Sequence, residues 1–369
     1  MNKAILKLEQ WIEKNGYEGY DPYDGLNSYL SKLTFNNKSL RYILMQGNRL
    51  FPINIRPILG IKKGFNPKGM ALFALAYLQL YKKSKDKKYL DKAEHCLTWL
   101  DANSNNKYSG KCWGYNFDWE NRMFFLPKGE PCIVVTVYVG MAFLEFYEIT
   151  KKRKYLEIAK SISQFILKDL YMYKSKEGYC LSYTPFDKTR VYNASILGGT
   201  ILAHLYKYTK DNSLKKISRE LVRYVVNNQN LQGYWTYGDT RSMVDNFHTG
   251  FVLDSIAEYI RYTGDKSFEK QLKKGLEYYK KNLFTSEGIP KYYNNSVYPI
   301  DIHASAQAII TFSKFDKEFA NKIAAWTIKN MQKRDGSFIY RINKSYKVKT
   351  PFTRWGQAWM LYALSQMVD

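Results

Sequence analysis

The chain is short of acid: its 33 aspartates and glutamates face 57 lysines and arginines, a formal charge of +24. That imbalance implies attraction to polyanions, whether nucleic acid, acidic glycans or an anionic membrane face. Much of the excess is lysine on segments that read as outward helix faces, such as Lys82 to Lys88 and Lys270 to Lys281, so a solvated basic surface is the plain explanation beside it. Cysteine is scarce too. Cys96, Cys112, Cys132 and Cys180 lie scattered with no CxxC spacing, which argues against a zinc site or a dense disulfide framework. No stretch approaches the roughly 18 consecutive apolar residues of a spanning helix, although the charge leaves peripheral contact with an anionic membrane open. The opening MNKAILKLEQWIEKNG has no unbroken apolar core and no small-residue cleavage site, so it does not read as a secretory signal and a cytoplasmic protein is expected. A Walker loop is missing, as is a GxGxxG followed by an acidic residue, and no cofactor is expected. Without a binding module or a long basic tail, specific nucleic-acid recognition is not expected either.

What is present is repetition. Residues 3 to 14 put Ile5, Leu8 and Ile12 on one helical face, a Gly/Pro/Asp-rich loop with clustered tyrosines follows, and a short helix is expected near Leu40 to Met45. From Pro67 a two-helix unit begins: GMALFALAYLQLYKKSKD, nearly continuously apolar, then KKYLDKAEHCLTWLDAN, charged and amphipathic. Copies start at Thr136, Ala194, His248 and His303, and a last apolar helix after Arg354 lacks a partner except the N-terminal helix. In each unit the apolar, glycine- and alanine-rich helix reads as inner and its charged partner as outer. A hairpin repeating every 50–60 residues or so and returning to its start implies a closed ring. The expected fold is all-α, a single (α/α)6 toroid over residues 1–369, its sixth hairpin closed by the N- and C-terminal helices.

This repeat resembles the six-hairpin superfamily of helical toroids, as do the turns Gln229-Asn-Leu-Gln-Gly-Tyr-Trp235 and Gln332-Lys-Arg-Asp-Gly-Ser-Phe338. That superfamily includes glycoside hydrolases, polysaccharide lyases, uronyl epimerases and terpene cyclases. More narrowly, Gly114-Tyr-Asn-Phe-Asp-Trp119, Asp245-Asn-Phe-His-Thr-Gly250 and Arg354-Trp-Gly-Gln357 look like toroid proteins associated with surface-polysaccharide biosynthesis. A terpene cyclase would carry DxDD or DDxxD, which this sequence lacks. Fold analogy does not assign a reaction.

In a ring of hairpins, the loops from each outer helix to the next inner helix gather at one mouth. Three of them share a plan, an aromatic run closed by an aspartate and an arginine: Asp118-Trp119 with Arg122, Asp187 with Arg190, and Tyr237 and Asp239 with Arg241. Aromatic faces stack on sugar rings while carboxylates and guanidinium groups bind hydroxyls or acidic substituents, so the set reads as a glycan cleft. The structural alternative is that each aspartate and arginine braces its own turn.

Aligning Phe247-His248 with Ile302-His303 puts two histidines at the first turn of adjacent inner helices, with Asp245 and Asp301 just upstream. An imidazole oriented by a carboxylate is a competent general acid or base. Equally, an aspartate there can simply cap a helix. His204 and His95 read as structural. The expected catalytic groups are His248, His303, Asp245, Asp118 and Asp239, with Glu120 a further carboxylate. The expected substrate contacts are Arg122, Asp187, Arg190, Tyr237, Arg241, Asn246, Trp119, Arg354 and Trp355, and no metal. Two functions fit. One is an acid/base enzyme acting by hydrolysis, elimination or epimerisation on an acidic or amino-sugar glycan or its lipid-linked precursor. The other is a non-catalytic toroid that binds glycan or protein in polysaccharide assembly.

Overall fold

Hairpin follows hairpin along the chain in the computed structural model, which describes residues 2–239 and 242–368. In order come α1 (Asn2–Lys14), α2 (Lys38–Leu50), α3 (Pro67–Ser84), α4 (Lys87–Ala102), α5 (Ile133–Thr150), α6 (Arg153–Lys168), α7 (Tyr192–Thr209), α8 (Asn212–Asn227), α9 (Asn246–Thr263), α10 (Glu269–Asn282), α11 (Ile302–Phe315), α12 (Lys317–Met331) and α13 (Trp359–Ser365). A turn of π-helix, Thr353–Ala358, leads into α13. Short antiparallel strand pairs decorate the loops, among them Trp119–Glu120 with Phe125–Leu126 and Met172–Ser175 with Gly178–Leu181.

Burial sorts the helices as their composition requires. Along α3, α5 and α7 almost every residue of the first three turns is buried, whereas α8 and α10 bury one stripe and turn their lysines outward. The inner helices α3, α5, α7 and α9 end alike. Lys85, Lys151, Lys210 and Gly264 take left-handed backbone and donate their N–H groups to the carbonyls four residues back, at Tyr81, Tyr147, Tyr206 and Ile260. By length and composition α5 is apolar enough to cross a membrane, with mean hydropathy 1.5, although the sequence shows no such continuous run. It is 72% buried inside the protein and is a core helix.

The contacts divide the chain into two compact units. Residues 103–112 and 131–297 form one, where α7 packs between α5 and α9 with α6, α8 and α10 outside them. Close approach in this unit requires glycine at 198, because a Cβ there would lie 2.6 Å from the Leu181 side chain and 2.8 Å from that of Ile133. Residues 1–102, 113–130 and 298–369 form the other, where α13 packs between α3 and α11 and also meets α1.

One device recurs in both units. Gln229, after α8, donates its amide N–H to Gly233 O in its own turn (3.0 Å) and to Gln271 O on α10 (2.9 Å). Gln332, after α12, donates likewise to Gly336 O and to Ala4 O on α1, both at 2.9 Å. The two glycines, at φ +102° and +93°, sit against Lys274 O and Lys7 O, each three residues beyond the bonded carbonyl. So α1 stands to the turn after α12 as α10 stands to the turn after α8. All four cysteines are buried.

Candidate active site

The first turn of α9 is built by one carboxylate with two duties. Asp245 is its N-cap, and Oδ1 accepts the His248 backbone N–H at 2.9 Å. Oδ2 lies 2.6 Å from His248 Nδ1. Capping and ring orientation, alternatives in the sequence, are thus performed together by the two oxygens of one side chain. Asp245 is 5% exposed, and Asn246 beside it is fully buried, donating to Leu283 O (2.9 Å) and accepting from Tyr279 OH (2.8 Å). Asn246, expected to touch substrate, here ties the start of α9 to the end of α10.

A carboxylate at Nδ1 holds the proton of the neutral imidazole there and leaves Nε2 as the lone-pair nitrogen. The ring keeps partial access, with its side chain 22% exposed, and Tyr237 meets it edge-on at 4.7 Å. His248 and Asp245 line a pocket together with Tyr192, Asn193, Trp235, Thr236, Tyr237, Met243, Thr249 and Val252. Trp235 is anchored by donating its indole N–H to Val225 O at 2.8 Å. Asn193 was not among the sequence candidates. It is 3% exposed, its Oδ1 is buried with no hydrogen-bond partner, and it lines the same cleft. A signal for it exists: Tyr192-Asn193-Ala194-Ser195 follows the pattern of Ile302-His303-Ala304-Ser305, with asparagine where the later copy has histidine.

The aspartate–arginine loops divide in behaviour. Arg190 reaches from its own loop to Asp239 in the next, Nε to Oδ2 at 2.7 Å, and Tyr224 OH donates to the same oxygen at 2.8 Å. The pair therefore links consecutive loops. Asp187 is 7% exposed and spends both oxygens within its turn, accepting from Thr184 N (2.6 Å), Thr184 Oγ1 (2.7 Å), Thr189 N (2.8 Å) and Thr189 Oγ1. Arg241 lies outside the described residues.

In the other unit, Asp118 accepts the Lys128 N–H at 2.7 Å. Trp119 packs edge-on against Tyr23, Tyr115 and Phe124, and exposed Arg122 donates to Tyr42 OH at 3.2 Å. Asp301 caps α11 as Asp245 caps α9, accepting from His303 N (2.9 Å), but the same Oδ1 also accepts the Trp355 indole N–H (2.8 Å). Burial raises the Asp301 pKa. His303 is 2% exposed, its ring 4.4 Å from that of Trp355 and 4.6 Å from that of Trp359. Arg354, expected to anchor substrate, is buried and paired in bidentate fashion with Asp21, at 2.6 and 2.8 Å.

Among the described residues, Glu145, Glu148 and His204 bring one ligand atom each within 4.8 Å of one another, an arrangement able to hold a cation. Lys207 already supplies a positive charge there, 2.5 Å from Glu148 Oε1. The His204 ring stacks on Tyr262, centroids 4.0 Å apart and 4° from parallel, and neither ring nitrogen has a hydrogen-bond partner. Burial lowers its pKa from 6.5 to about 3, with Glu258 and Glu148 opposing and Lys207 and Arg261 assisting. Below pH 6.5 the unfolded chain binds a proton that the folded chain refuses until about pH 3. This stabilisation is therefore full above the unfolded value and falls by about 1.4 kcal/mol per pH unit as pH drops through the window. Urea unfolding of His204→Phe between pH 6.5 and 4.5 is expected to show a pH slope about one proton shallower than the unsubstituted chain; equal slopes would refute it.

Neither a protein-family model nor a curated protein matches the chain by sequence. Solved structures do resemble it. The cellobiose 2-epimerase of Bacillus thermoamylovorans B4167 aligns with TM-score 0.64 at 14% identity, covering 82% of this chain and 88% of that one. A sugar epimerase from a ruminal bacterium aligns with TM-score 0.63 at 14% identity, covering 84% and 91%. A GH76 α-mannanase of Bacteroides thetaiotaomicron aligns with TM-score 0.61 at 15% identity, covering 81% and 85%. The six-hairpin (α/α)6 toroid expected from the repeats is the fold shared with these structures.

Proposed function

We propose that the chain is a carbohydrate-active enzyme whose His248, oriented by Asp245, transfers a proton at a sugar carbon beside a carbonyl. The observation that carries this reading is the 2.6 Å contact between Asp245 Oδ2 and His248 Nδ1 at the wall of an aromatic cleft. Nε2 takes the proton from the carbon, the electron pair moves toward the carbonyl oxygen, and Asp245 stabilises the imidazolium that results. A proton delivered to the opposite face, by Nε2 after the enolate turns over or by water, gives an epimer, while departure of a β-substituent with its bonding electrons gives elimination. Hydrolysis by paired carboxylates fits less well, since it needs two carboxyl groups about 5–10 Å apart. Of the described residues lining this cleft only Asp245 carries a carboxylate, and it is already bound to the imidazole.

Tyr237, partly exposed, offers its ring to a sugar, and the buried Asn193 Oδ1 offers an acceptor to a hydroxyl. Epimerases stand among the structures of the same fold, beside hydrolases. The charge of +24 favours an acidic glycan or its anionic lipid-linked precursor as the substrate, and an amino-sugar glycan and a place in cell-surface polysaccharide metabolism in the cytoplasm belong to the same proposal. In this reading α13 and α1 form the sixth hairpin, supported by the matching glutamine turns after α8 and α12.

A panel of reducing sugars, uronic acids, N-acetylated amino sugars and mannan oligosaccharides, read by chromatography and NMR, tests the proposal. Conversion of a reducing sugar to its epimer, or an unsaturated product from a uronic acid, is expected. Mannan cleavage that survives loss of the His248 imidazole would replace it with a hydrolase. Binding without turnover would favour the scaffold reading, which the internal pairing of Arg190 with Asp239 and the closed turn at Asp187 support.

A further inference from the structure

Helix α2 is mounted the wrong way round for a water-facing surface. Three of its polar side chains turn inward: Arg41 pairs with Glu120 at 2.8 Å, Arg49 donates to Tyr23 OH at 2.9 Å, and Asn48 is 4% exposed. Its outward stripe, at the i, i+3 and i+7 positions, is Leu40, Ile43 and Gly47. Ile43 is 64% exposed and Leu40 45%. The segments flanking α2 in sequence expose apolar side chains as well. Of the fifteen large apolar side chains exposed among the described residues, eight fall between Tyr29 and Ile58, including Leu33, Phe35, Ile53 and Ile58. An apolar surface of this density marks a place that something else covers.

Charge says what covers it. From Gly25 to Lys85 there is no aspartate or glutamate, while eleven lysines and arginines occur, and Lys32, Lys38 and Lys62 are exposed. A second copy of this chain would bring the same exposed lysines against one another. Nucleic acid would satisfy the lysines and leave the aliphatic side chains in water. An anionic lipid surface satisfies both, the lysines at the headgroups and the leucine and isoleucine side chains at the acyl boundary.

We propose that α2 and its flanking loops form a docking surface for an anionic membrane. The proposal concerns a face of the protein and stands whether or not His248 is catalytic.

Sedimentation of the full chain with phosphatidylcholine vesicles, with and without phosphatidylserine, tests it. Binding to the phosphatidylserine vesicles is expected, weakened by added salt. The double substitution Leu40→Asp with Ile43→Asp, and separately Lys32→Glu with Lys38→Glu, are each expected to weaken it about tenfold or more. Neither should lower the melting temperature, because the altered side chains face solvent. Failure to bind either vesicle, or vesicle binding untouched by both double variants, would overturn the proposal. So would self-association in sedimentation velocity that Ile43→Asp abolishes, which would assign the face to a second copy.

Discussion

Asp21→Ala is expected to cost about 3–5 kcal/mol of folding stability, a large part of what a domain typically has. Asp21 and Arg354 are each 3% exposed, and both Asp21 oxygens accept from the guanidinium, at 2.6 and 2.8 Å. Burial by itself would lower the Arg354 pKa, and Asp21 turns the net shift upward, so the group is held charged by its partner. The pair belongs to a network. Arg56 Nε donates to Asp24 Oδ1 at 2.7 Å and Arg56 Nη2 to Asp21 O at 2.9 Å, so two carboxylates and two guanidinium groups join three distant stretches of chain. Removing Asp21 strands a buried cation. The double variant Asp21→Leu with Arg354→Met, which removes both charges, is expected to be more stable than Asp21→Ala, and a urea double-mutant cycle measures the difference. A loss below about 1 kcal/mol in Asp21→Ala would mean that water already reaches the pair.

His248→Gln is expected to lower kcat by about 10²–10⁴ with little change in unfolding midpoint, because the ring is partly exposed and caps nothing. Asp245 separates the two duties of its carboxylate. Asp245→Asn retains an N-cap acceptor but no longer fixes the charge and tautomer of the imidazole, so kcat should fall while the melting temperature holds. Asp245→Ala should lose both, with about 1 kcal/mol of stability gone as well. Equal activity in the unsubstituted chain and Asp245→Asn would reduce Asp245 to a helix cap.

The hairpins were legible because inner and outer helices differ along their whole length, in continuous apolar residues against a single apolar stripe. The Asp245–His248 pair was legible because three residues at a helix start bring a cap and a ring together. Partners distant in sequence were not. Arg354 meets Asp21, 333 residues away, and no local spacing distinguishes that buried pair from a substrate anchor. Arg190 and Asp239 looked like members of two separate pairs and instead join their loops. Asn193 is no candidate by its chemistry, because an amide does not titrate, although its place in the repeat matches that of His303. Helix α2 runs over 13 residues where a shorter helix near 40–45 was expected, because its periodicity faces polar residues inward and obscures the core face.

Solvent deuterium exchange tests the central claim most directly. The chain would be incubated in deuterated water with acidic and amino-sugar reducing sugars, beside His248→Gln, and the carbon adjacent to the carbonyl read by NMR. Deuterium appearing at that carbon with the unsubstituted protein and not with His248→Gln is the expected result. Turnover that leaves the carbon-bound hydrogen in place, or exchange that persists without the imidazole, would contradict it.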